Sequence, residues 1–294
     1  QQTPQNALKG AQEPVWHEAT PGFQLEPAQV CVSHDHQISK LKACGGNPEA
    51  FGEFVDPAFF IGIGIQAGIR SGISAQGNIN MLQRLVVHRP ARLGEVLMFR
   101  GEIEAVQPVP RGNQVTTKVS FEDEAGNLVI DASRTSLRPS LQADKASRGA
   151  GERPAPVVTH VDETIQLDLH ALTPEQVKDY SLEGNSIHYE EGAAKAAGFR
   201  APMIGGGMGV HFLTAALFSR ATPSYVDMDI YFRRPIFWDE KFTSAVMTQP
   251  PVSEAQGLPA LDQWRALCLW RDEGQKGFKV LTEARVNALR LSNA

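Results

Sequence analysis

The chain has 294 residues, 42% of them hydrophobic and 21% charged, which is room for two globular domains of ordinary composition. A net charge of −5 excludes the basic stripe of a general nucleic-acid binder. Three scattered cysteines, Cys31, Cys44 and Cys268, exclude a disulfide framework and a zinc site. No metal or redox cofactor is expected, and reduced thiols point to a cytoplasmic setting.

Residues 1–6 are polar and lack the basic-then-apolar layout of a signal peptide. His34-Asp35-His36 has no third ligand at useful spacing and reads as a solvated turn. The longest apolar stretch, Phe59 to Ile73, is broken by glycines, Gln66 and Arg70. It is too interrupted for a membrane span, which needs ~20 apolar residues, and predicts a buried helix. Within it Gly62-x-Gly64-x-x-x-Gly68 lacks the glycine spacing and the later acidic residue of a dinucleotide-binding turn.

A repeat runs through the chain. With Pro57 laid on Pro202, Gly62 meets Gly207, Gly64 meets Gly209 and Ser74 meets Ser219. Arg89-Pro90 then meets Arg234-Pro235, and Glu95 meets Glu240. Each copy ends in alternating stretches around a turn, Val115–Phe121 with Leu128–Ser133 and Trp264–Trp270 with Phe278–Ala284, which predict β-hairpins. Gln142 to Pro156, rich in Ala, Gly, Arg and Pro, reads as a linker between repeats at 1–141 and 157–294. In the second copy a helix is predicted from about Ile204 to Arg220. It is apolar nearly all round, so strands must wrap it. The fold class is α+β, with antiparallel strands curled around a buried helix in each copy.

The densest stretch is Tyr180-Ser181-Leu182-Glu183-Gly184-Asn185-Ser186-Ile187-His188, followed by an Ala-rich segment to Gly198-Phe199 and then Pro202-Met203-Ile204-Gly205-Gly206-Gly207. It resembles the MaoC-like, (R)-specific enoyl-CoA hydratase family, whose pattern is Asp-x-Asn-Pro-Ile-His, an Ala-rich helix ending in Gly-Phe, and a Pro-Ile-Ala-His-Gly helix entry. The resemblance implies two tandem hot-dog repeats. It places His188 on the catalytic histidine, Glu183 on the catalytic aspartate and Asn185 on the asparagine that organises the turn. Gly206 falls on the glycine whose N–H serves the thioester oxygen. Three positions depart from the pattern: Glu183 for Asp, Ser186 for Pro, and Gly205 for His.

The residue types suit the chemistry independently. Adding water across a conjugated double bond needs one group to deprotonate water and another to protonate the α-carbon. A carboxylate and an imidazole can both be tuned toward neutral pKa. Gly205, Gly206 and Gly207 at a helix start let backbone N–H groups face a developing oxyanion. Glycines there also let a helix pass close to a sheet. At the positions of Glu183 and His188 the first copy has Gly45 and Ala50, so it is expected to be catalytically silent. In tandem enzymes of this kind the first repeat takes the acyl chain, which would bring Phe59, Phe60, Ile61, Ile63 and Ile65 to line it or simply form core.

The expected substrate is an acyl-CoA or acyl carrier protein thioester, its pantetheine carrier held by Arg200 and Arg233, with Arg89 and Lys241 as further cations. A homodimer is left open, with no nucleic acid and no membrane span. The expected reaction is hydration of a 2-enoyl thioester or dehydration of the (R)-3-hydroxyacyl thioester. A hot-dog acyl-CoA thioesterase and a non-catalytic acyl-thioester-binding module are the alternatives.

Overall fold

The computed structural model describes residues 15–140, 154–182, 184–251 and 257–292. Glu183 and positions 142–153 of the expected linker lie outside the described residues. The first half contributes β1 (Ala28–Val30), α1 (His34–Ala43), α2 (Phe59–Arg70), β2 (Ile79–Val87), β3 (Leu97–Val109), β4 (Gly112–Glu122), β5 (Leu128–Asp131) and β6 (Arg134–Pro139). The second contributes β7 (Ile165–Ala171), α3 (Pro174–Ser181), α4 (Glu191–Ala196), α5 (Gly206–Phe218), β8 (Pro223–Phe232), β9 (Lys241–Thr248), β10 (Trp264–Asp272) and β11 (Phe278–Leu291).

These strands form one antiparallel sheet in the order β1-β3-β4-β5-β2-β8-β11-β10-β9-β7, with β6 pairing β2 and β4. The halves join where β2 pairs β8, from Leu82 opposite Tyr231 to Val87 opposite Val226. Each repeat thereby covers an edge that would otherwise present unpaired backbone groups. The expected hairpins are β4–β5 and β10–β11, the latter pairing Ala266 with Arg285 at one end and Asp272 with Phe278 at the other.

Both central helices press on the sheet through glycines. A Cβ at Gly64 would lie 3.1 Å from Val119 Cγ1 on β4, and one at Gly206 would lie 2.9 Å from the Phe232 ring on β8. The starts of the two helices meet, since a Cβ at Gly207 would lie 3.9 Å from Ala58 O and 4.0 Å from Gly62 N. Nine of the thirteen α5 residues are buried, His211 and Thr214 among them. Each large apolar side chain so buried contributes roughly 1.5–3 kcal/mol before entropy is counted. Phe59, Phe60 and Ile61 are core, with Ile63 and Ile65 only partly buried against it.

Two local readings change. α5 starts two residues later than predicted because Ile204 N donates to Ile236 O at 2.9 Å, a strand-like contact that holds the entry extended. His34-Asp35-His36 opens α1 rather than forming a turn, since Ser33 Oγ accepts from His36 N at 3.1 Å and caps the helix.

Candidate active site

Local chemistry builds the loop that carries His188. α3 starts with a reciprocal cap between Thr173 and Gln176 and stops at Leu182. Asn185 then organises a tight turn: its side-chain oxygen accepts from Ile187 N at 3.2 Å and its carbonyl from His188 N at 3.1 Å. The turn leaves His188 at the end of a single 3-10 stretch, Ser186–His188. α4 follows and ends at Gly198, whose φ of 92° only glycine adopts readily; Phe199 N returns to Ala194 O at 3.0 Å.

The imidazole of His188 is fixed by the backbone. Its Nδ1 lies 2.6 Å from Met203 O, and a carbonyl can only accept, so Nδ1 carries the proton. Nε2 is then the nitrogen with the free lone pair. Met203 is itself held: it bridges Phe237, and Trp238 N donates to Pro202 O at 3.0 Å. Burial pushes the His188 pKa below its ordinary value, partly opposed by the bond to Met203. A neutral imidazole at pH 7 results.

Nε2 faces the start of α5. A Cβ at Gly205 would lie 3.5 Å from it, so the missing side chain leaves this side of the ring uncovered. Among the described residues the N–H groups of Gly206 and Gly207 make no hydrogen bond, as first-turn donors do unless something external accepts. A lone-pair nitrogen and a helix N-terminus with unpaired donors therefore sit side by side. This arrangement can take a proton from water and hold a developing oxyanion.

The sequence-derived residues divide as follows. His188, Asn185, Gly205 and Gly206 come together; Gly207 turns toward α2 instead. Arg200 pairs with Asp239 at 2.9 Å and stacks over Phe237, half exposed beside α4. Arg233, expected at the carrier, has its donors engaged within the fold. It pairs with the fully buried Glu283 at 2.9 Å and donates to Pro154 O and Ala155 O, so its donors hold the incoming chain to β11. Arg89 is likewise occupied by Glu95 and Asp123.

No family model and no curated protein sequence matches the chain. Solved structures do. HtdX from Mycobacterium tuberculosis is 18% identical, with 91% of this chain and 100% of that chain covered and a TM-score of 0.67. A MaoC-like dehydratase from Phytophthora capsici is 17% identical over 90% and 95%, at 0.65. A Lactobacillus plantarum protein provisionally named an oleoyl thioesterase is 10% identical over 93% and 98%, at 0.60. This chain has the double hot-dog fold of the MaoC-like dehydratases.

Sequence reasoning missed a buried chain of polar groups linking the two hot dogs. Asp56, just before α2 in the first, accepts at 2.6 Å from His211 Nδ1 and at 2.7 Å from Thr214 Oγ1, both on α5 of the second. Tyr180 OH lies 2.5 Å from His211 Nε2. Burial, then the charges of Cys44 and Asp56, push the Tyr180 pKa well above its ordinary value, so the phenol stays protonated and donates to His211. Gln37 completes the set, its side-chain oxygen accepting from Asp56 N at 2.8 Å. One signal was present: His211 is the one ionisable residue of α5, which is otherwise apolar but for Thr214.

Proposed function

We propose that this double hot dog hydrates 2-enoyl thioesters, or in reverse dehydrates (R)-3-hydroxyacyl thioesters. The supporting observation is the pairing of His188 Nε2, unprotonated because Nδ1 is committed to Met203 O, with the unpaired N–H of Gly206. Water oxygen adds to C3 while Nε2 takes one of its protons. The C2=C3 electron pair moves toward the carbonyl, and the resulting enolate oxygen accepts from Gly206 N–H. A proton delivered to C2 restores the thioester, and Glu183 is the carboxyl group assigned to that transfer. Atoms balance as the addition of one water.

The substrate is an acyl chain on CoA or an acyl carrier protein, and the setting is cytoplasmic. No helix among the described residues is long and apolar enough to cross a membrane.

The test is a series of 2-enoyl-CoAs of increasing chain length. Loss of the enoyl absorbance without release of thiol is the expected result. Release of free thiol would assign a thioesterase instead, and binding with neither change would assign a carrier module.

A further inference from the structure

The sheet face that looks at α2 contains an uncompensated cationic cluster. Ile130, Ala132, Arg134, Ser136 and Arg138 alternate onto this face, because Arg134 pairs opposite Thr117 of β4, two residues from the Val119 that touches Gly64. On β2 the residues opposite are Gln83, facing Arg134, and Asn80, facing Ser136.

The polar atoms here do not satisfy one another. Among the described residues Arg134 makes no side-chain hydrogen bond or ion pair, and its Nη2 lies 3.2 Å from the Cβ position of Gly68. Arg138 donates to Ser74 O at 2.8 Å, yet its Nε is buried without a partner. Gln83 is fully buried, and its Oε1 has no donor; neither has Asn80 Oδ1. Burial and the charge of Arg138 push the Arg134 pKa down to about 10, and no carboxylate opposes either effect. Two neighbouring cations with idle donors and no counter-charge form a site for an anion.

The cluster lies within acyl reach of the site. Gly62, beside Gly207, is six residues along α2 from Gly68, which is about 9 Å at 1.5 Å per residue. The second route agrees: β6 is two strand spacings, on the order of 10 Å, from β8, whose Phe232 touches Gly206. An extended chain advances roughly 1.2 Å per bond, so about eight bonds span the gap.

We infer that Arg134 and Arg138 bind a carboxylate at the far end of the acyl group, so that the substrates are ω-carboxy-2-enoyl thioesters of about nine carbons. This rests on the hydration reading for its reaction, but not for its ligand.

The experiment compares the CoA ester of 2-nonenedioic acid with 2-nonenoyl-CoA on the wild type and Arg134→Met, and follows the Tm of both proteins with free nonanedioate, nonanoate or phosphate. The wild type should favour the carboxylated ester in kcat/KM by at least tenfold. Arg134→Met should erase that preference through KM and keep turnover of 2-nonenoyl-CoA. Nonanedioate should raise the Tm of the wild type alone, and Arg134→Met should be at least as stable, since it removes an unpaired, partly buried charge. Equal use of the two esters by the wild type overturns the acyl assignment, even if phosphate or nonanoate also raises Tm. A lower Tm for Arg134→Met with equal loss on both esters makes Arg134 a cap of α2 and overturns the site. If neither ester is hydrated the hydration reading fails, and the anion site is decided by the Tm shift alone.

Discussion

The two hot dogs keep one turn and use it for opposite ends. In the first, Asn47 accepts from Glu49 N at 3.1 Å and caps Pro48–Phe51, which drives Phe51 into the core against Phe218. In the second, Asn185 caps Ser186–His188 in the same way but presents an imidazole held by Met203 O. The sheet shows the reverse division. Met228 faces Val286 in the second hot dog, both buried and apolar, where Gln83 faces Arg134 in the first. The copies thus share the backbone devices, while the histidine stands in one copy and an unpaired, partly buried cation in the other. The copies are joined by Asp56 of the first and His211 of the second.

The sharpest way to break this comparison is to make the second turn as inert as the first. His188→Ala, giving the residue found at position 50, should lower turnover by roughly 10²–10⁴-fold, and Glu183→Gln by a similar factor. The double variant should be little worse than either, because members of one catalytic unit are not additive. Steady-state kinetics decide it: losses of tenfold or less in both single variants would remove the pair from the mechanism.

Cutting the bridge between copies should cost stability rather than chemistry. Asp56→Ala leaves His211, Thr214 and the Ala58 N–H without their shared carboxylate inside the core. Removing one member of such a buried pair costs about 3–5 kcal/mol. A denaturant midpoint within about 1 kcal/mol of wild type would mean that the network is incidental.

What the sequence revealed follows from the range of the interactions involved. Asn185 and Gly198 act on neighbours a few residues away, so the turn and the end of α4 could be read directly, and the Arg-Pro pairs after β2 and β8 recur at one fixed offset, so the repeat could be read too. Asp56 and His211 are 155 residues apart and meet only because β2 pairs β8. Arg134 sits in an alternating strand that reads like any other until its register with Gln83 is known. Arg233 looked like a free surface cation because Glu283, its buried partner, comes from a strand 50 residues later. Long-range pairing was the illegible part, and it decides which charges are spent.

A smaller effect sharpens the role of the helix entry. Gly205 has φ −69° and ψ 155°, which any residue adopts, and a Cβ there makes ordinary contact at 3.5 Å with His188 Nε2. Gly205→Ala should fold normally yet crowd the working nitrogen, lowering kcat/KM by about tenfold, the scale of a sub-ångström misplacement. Gly206→Ala differs, because its Cβ would meet the Phe232 ring at 2.9 Å and must push it aside. Full activity in Gly205→Ala would show that water does not approach Nε2 from this side.

The two turns also differ in their response to pH, since only the second has a histidine to titrate. His188 must be neutral to accept a proton, so activity is present above its folded pKa and lost below it. Burial sets that pKa below the ordinary histidine value near 6.5, with Met203 O pulling it partly back. The acidic limb of kcat/KM, which reports the free enzyme, should therefore fall below pH 6.5. Stability moves the same way. Between the lowered folded pKa and the unfolded value the unfolded chain binds the extra proton, so stability declines as pH falls through that window. Gly205→Ala removes more water from Nε2 and should shift the limb further toward acid. A limb at or above 6.5, unmoved by Gly205→Ala and retained in the residual activity of His188→Gln, would assign the titration to another group and leave His188 as part of the scaffold.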